Sequence, residues 1–104
     1  IDFTSAIATT GSRWAVSGPS LTRLTMVSNY TLAATTQTLN SGVAAYDTPA
    51  AANATSIVAG NLAALEGYIR CSADGDVIAR FASEISNSAI TAKAGSMVQW
   101  LQVL

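Results

Sequence analysis

Short runs of alternating apolar and polar residues, punctuated by Gly, Pro, Asn and Asp, recur along the chain and favour strands over helices. Thr, Val and Ile, which suit a pleated half-buried surface, point the same way. Gly11-Ser12 leads into Arg13-Trp14-Ala15-Val16, and Gly18-Pro19 ends that run because proline cannot donate to a ladder; a strand is predicted over Arg13 to Ser17. From Leu21 to Leu32 apolar residues occupy odd and even positions alike, which predicts a strand whose facing stays open. Thr35 to Gly60 lacks apolar periodicity and contains Asp47-Thr48-Pro49 followed by an Ala-rich stretch. It reads as a long loop with at most one embedded strand, around Val43 to Tyr46.

The sharpest pattern lies between Asn61 and Ile85. Ala63, Leu65, Gly67, Ile69 and Cys71 share one face, with Leu62, Glu66, Tyr68 and Arg70 mainly on the other. After Ala73-Asp74-Gly75, the residues Val77, Ala79, Phe81 and Ile85 share a face opposite Asp76, Arg80 and Glu84. A three-residue hairpin loop that pairs Cys71 with Val77 keeps both apolar faces together and sets Phe81 across from Gly67. In that register Phe81 is a core residue whose truncation to alanine costs roughly 3–5 kcal/mol if it is fully buried. Glu66 and Glu84 then lie beside Arg80 and Arg70 as cross-strand ion pairs. Ser88 to Ala94 alternates and ends at Gly95. Met97, Trp100, Leu101 and Leu104 fall at helical spacing, but so short a segment containing Val98 and Val103 makes a weak helix, and a terminal strand is expected.

Composition narrows the class. The 104 residues suit a single β domain over 1–104. Only 11% are charged against roughly 25% in typical domains, so the surface must be wetted mainly by serine and threonine. Five basic residues against six acidic ones leave a net charge of -1, which excludes an electrostatic nucleic-acid binder. No polybasic patch faces anionic lipid, and no apolar stretch reaches the roughly 18 residues that span a bilayer as a helix. Aromatic residues make up 7% of the chain and alanine fills many apolar slots, so the core is thin and partner subunits are expected to stabilise it.

Candidate chemistry is sparse. Histidine is absent, which removes the commonest general base, the usual zinc ligand and every Ser/His or Cys/His dyad. The single Cys71 permits no internal disulfide and reads as a small buried hydrophobe. Asp74-Gly75-Asp76 resembles a fragment of a calcium loop but lacks the remaining ligands, and reads as a turn. Asn29-Tyr-Thr and Asn53-Ala-Thr match the glycosylation sequon, a pattern frequent by chance in a Ser/Thr-rich chain. No catalytic residue, cofactor or metal is expected. Trp14, Tyr46, Asp47, Pro49, Tyr68 and Trp100 remain as candidates for subunit-interface or glycan contact, since aromatic faces serve both.

Three stretches stand in order along the chain: Thr9-Thr-Gly-Ser-Arg-Trp-Ala-Val-Ser-Gly-Pro19; Ala44-Ala-Tyr-Asp-Thr-Pro49 through Thr55, with Gly60-Asn-Leu-Ala-Ala-Leu-Glu-Gly67; and Val77-Ile-Ala-Arg-Phe-Ala-Ser-Glu84, followed by Ala89-Ile-Thr-Ala-Lys-Ala-Gly-Ser96. Together they resemble a family of small tailed-bacteriophage virion structural proteins and modules, met near phage structural genes. The resemblance implies a non-enzymatic virion component and carries over no catalytic residue. Family members have further predicted strands before the position of Ile1, so the chain is expected to be the C-terminal part of a larger unit. The expected fold is all-β, an antiparallel, jelly-roll-like β-sandwich. Its expected partners are further copies of itself, as a homotrimer or lattice subunit, and virion proteins such as the major capsid protein, with the Asp47 to Ala59 loop contributing contacts. Two roles compete within the resemblance: a decoration or cement protein on the capsid, and a tail or head fibre module that grips host glycan. A prophage-encoded secreted adhesin or carbohydrate-binding module is the reading of another class.

Overall fold

A computed structural model describes residues 1–49 and 57–103. Among them the regular structure is all antiparallel strand: β1 (Asp2–Ser5), β2 (Ser12–Ser17), β3 (Leu21–Ala33), β4 (Thr36–Val43), β5 (Asn61–Cys71), β6 (Ile78–Ser83) and β7 (Ile90–Ala92). They form a five-stranded sheet in the order β4-β3-β5-β1-β7 and a two-stranded sheet, β2-β6, with no closed barrel.

The facing of β3 is decided by burial. Leu24, Met26, Ser28 and Tyr30 point inward, while Val27 is exposed on the outer side. Ser28 sits inside because its hydroxyl accepts from Asn40 Nδ2 at 3.1 Å, and the same amide donates to Tyr30 Oη at 3.3 Å. Burial raises the Tyr30 pKa, with the Asn40 bond opposing the shift. From β5 the inner face presents Ala63, Leu65 and Ile69, as the alternation predicts.

Trp14 on β2 joins the two sheets. It is 0% exposed, its ring centroid lies 4.7 Å from that of Phe3 on β1, and Phe81 on β6 stacks on its other side at 4.8 Å and 21°. Tyr30 and Ala63 complete this cluster, and Val16, Leu24, Met26 and Val43 form a second one beside it. The indole Nε1 donates to Ser12 Oγ at 3.1 Å, so the buried ring leaves no donor unpaired.

Several expectations are corrected. The β5–β6 hairpin does not form: β3 pairs along β5 from Ala63 to Cys71, β1 meets β5 only at Asn61 and Leu62, and β6 lies in the second sheet. Residues 72–77 instead carry the chain across to the other sheet, tied by a bond from Ser72 N to Ser20 O. There β6 pairs with β2, with Phe81 opposite Trp14 rather than Gly67. Phe81 is 44% exposed, so it does not carry the full burial expected of it. The strand placed around Val43 to Tyr46 lies earlier, at β4, within what reads as loop. Its outward row is polar because an edge strand is held mainly by main-chain bonds to β3. Ser41 and Gly42 stand against Val27 as a bulge, and Gly42 adopts φ 68°, which favours glycine. The terminal strand is absent as well: Met97–Val103 has no regular structure and is exposed.

The aromatic contacts predict unequal costs of truncation. Trp14→Ala is expected to lose roughly 3–5 kcal/mol in denaturant unfolding, and half-exposed Phe81→Ala roughly 1–2 kcal/mol. Equal losses would place Phe81 in the core after all.

Candidate interaction surface

The two sheets are filled by large rings at the Trp14 end and by small groups at the other. A cleft of about 960 Å³ opens there, lined by Val16, Met26, Leu65, Gly67, Ile69 and Cys71 together with Val77 and the tail Val98–Val103. At Gly67 a Cβ would meet Thr25 O and lie 2.7 Å from Met26 Cα and 2.9 Å from its Cβ, so close approach of β3 to β5 demands glycine. The Tyr46 hydroxyl lies 3.8 Å from Sγ of Cys71, a lining residue, and fills the space a Cβ on Gly18 would need. Burial first, and then the Cys71 contact, raise the Tyr46 pKa.

A second, smaller concavity of about 270 Å³ lies against the two-stranded sheet, lined by Arg13, Ala15, Asp47, Pro49, Arg80, Phe81 and Ala82. Asp47 adopts φ 54°, its amide donates to Val16 O at 2.9 Å, and the Thr48-Pro49 bond that follows is cis. One guanidinium nitrogen of Arg80 is shared between the two Asp47 carboxylate oxygens at 2.9 and 3.1 Å. This replaces the expected cross-strand pairs of Glu66 and Glu84 with Arg80 and Arg70, because β6 never lies beside β5.

The six candidate contact residues are therefore dispersed. Tyr46, Asp47 and Pro49 fall together in one turn after β4. Tyr68 and Trp100 border the cleft, and Trp100 is 80% exposed. Trp14 is a core residue with no face open to a ligand in this chain. Part of the Asp47 to Ala59 loop, including Asn53, lies outside the described residues, as does Leu104. Residue-by-residue reading missed Leu65, Ile69 and Val77 as cleft lining and Arg80 as the partner of Asp47, since each depends on β6 crossing to β2. Among the described residues no group of His, Cys, Asp or Glu is placed to hold a metal ion.

Compared with models of protein families, with curated proteins and with solved structures, the chain matches none.

The chemistry available at this surface is apolar contact. Ile78 and Phe81, on opposite faces of β6, and Ile85 past its end are exposed apolar residues too, as are Met97, Val98, Trp100, Leu101 and Val103. The Asp47–Arg80 pair contributes little stability because both side chains are more than half exposed. Asp47→Asn is expected to shift the unfolding free energy by less than about 1 kcal/mol, with the difference shrinking further at high salt. A larger, salt-insensitive loss would show that the turn itself depends on the carboxylate.

Proposed function

We propose that the chain is a non-enzymatic structural module of a tailed-phage virion, a jelly-roll-like β-sandwich that decorates and cements the capsid shell. It acts on the particle surface after assembly in the host bacterial cytoplasm, as a trimer or lattice subunit in contact with the major capsid protein. The observation that supports this reading best is the amount of exposed apolar side chain at the cleft, on β6 and along the tail. Apolar areas of this kind on a weakly charged protein mark protein contact rather than substrate chemistry. The ordered sequence resemblance points to the same class.

A fibre or receptor-binding role is the second reading, favoured by Tyr68 and exposed Trp100 at the cleft, where a sugar ring could stack. Nucleic acid and membrane are not among the proposed partners.

Cryo-electron microscopy of the particle separates the two. The cement role predicts density over the icosahedral shell bridging capsomers, and particles lacking the protein that rupture at lower temperature. Density on the tail or on fibres, with shells of unchanged heat tolerance, would move the assignment to host attachment.

A further inference from the structure

The two edges of β5 are unequally covered. On one edge β3 pairs with it from Ala63 to Cys71; on the other β1 meets only Asn61 and Leu62, and its ladder ends in the reciprocal bonds between Ile1 and Ala63 at 2.8 Å. Main-chain groups of successive residues alternate between the two edges of a strand. The Leu62 and Ser72 amides turn toward β3, donating to Thr31 Oγ1 at 3.0 Å and Ser20 O at 2.8 Å, and the Ala63 amide turns the other way, to Ile1 O. Leu65, Gly67 and Ile69 share the parity of Ala63. Their amides and carbonyls therefore point to the edge beyond the start of β1, where no backbone bond from a described residue reaches them.

The cleft lies along this edge. Leu65, Gly67 and Ile69 line it, and so do Val98–Val103 of the tail. The tail follows β7, which pairs with the far edge of β1, and is tied there by Lys93 N donating to Asp2 O at 2.8 Å and Asp2 N donating to Ser96 Oγ at 3.1 Å. In the order β5-β1-β7 the middle place is thus held by β1 at one end and is open cleft, between β5 and the tail, past Ile1.

We infer that this edge of β5 accepts an extended peptide strand, running antiparallel to β5 in line with β1. Main-chain pairing gives such a strand its affinity, and the alternate side chains give it specificity. Its register continues that of β1. Ile1 stands opposite Ala63 with its side chain packed on the core, so every second residue of the incoming strand faces the cleft beside Leu65, Gly67 and Ile69. Those residues are apolar, to match Val16, Met26 and Val77 in the lining. The intervening residues are polar, beside the exposed Glu66, Tyr68 and Arg70. The same strand supplies an apolar neighbour to Trp100 and Leu101, which line the cleft yet are 80% and 83% exposed. The free edges of β4 and β6 continue no ladder already begun. The inference concerns the chain itself and does not rest on the virion reading.

The test appends a strand of about eight residues, alternating valine and threonine, directly before Ile1 of the full chain; at about 3.3 Å per residue it reaches Cys71. Threonine stands next to Ile1, which sets the valines opposite Leu65, Gly67 and Ile69. The expected result is amide exchange at least about tenfold slower at those three residues than in the unextended chain. A blue shift of Trp100 fluorescence should accompany it and vanish in Trp100→Phe, since Trp14 is already buried. Unchanged protection of Ala64, Glu66 and Tyr68, which face β3, verifies that the fold is intact. Supplied instead as a free peptide at about millimolar concentration, the same strand should protect the same amides of the unaltered chain. Exchanging the valine and threonine positions, or placing proline opposite Gly67, should abolish the gain. The proposal is overturned by slow exchange at the three amides in the unextended chain, by protection on β4 or β6 in place of β5, by a gain that survives both altered strands, or by no gain at all.

Discussion

The column of rings Phe3, Trp14 and Phe81 is the contact on which the architecture turns. A two-stranded ribbon has little stability of its own, and β2-β6 becomes a layer because Trp14 is clamped between a ring from the larger sheet and one from its own partner strand. Large rings at that end, against glycine and small aliphatic residues at the other, leave the layers in contact through Trp14 and open near Gly67. The cleft is thus a consequence of the same packing that holds the sheets together. Filling it by mutation at Gly67 is blocked, since Met26 occupies the space a Cβ would need.

Much of the strand content was legible in sequence because alternation reports a half-buried face directly. β2, the inner row of β5 and β7 follow from it. Pairing partners were not legible. The alternation of 77–85 fits a hairpin with β5 as well as a crossover to β2, and the outcome lies in contacts between residues far apart in sequence, the stacking of Phe81 on Trp14 among them. β4 escaped for a different reason: a polar edge strand has no apolar row to betray it. In β3 the ambiguity came from Val27, an apolar residue on the outer face, and from Ser28, a polar one inside that Asn40 satisfies.

The candidate surface was only partly visible beforehand. Tyr68 and Trp100 were singled out as aromatics and do border the cleft, whereas Trp14 was drawn into the core. Sequence could not tell these fates apart, because a buried and an exposed tryptophan differ only in what the rest of the chain places over them. The proposed virion role draws on apolar area left uncovered and on the ordered sequence resemblance. The rest of the described surface carries Ser, Thr and a few scattered charges, with Ile7, Val27, Leu39, Val58 and Leu62 exposed among them, and makes no strong electrostatic demands on a neighbour.

The central claim is that the apolar flank is open in the isolated chain and covered in the working state. Amide hydrogen exchange, compared between the dilute chain and its assembled form, tests this most directly. The account predicts that residues 97–103, together with those amides of 77–85 not bonded to β2, exchange rapidly when dilute and become protected on assembly, while the protection of β3 and of the β5 amides bonded to it barely changes. Strong protection of 97–103 already present in the dilute chain, or no gain on assembly, would contradict it.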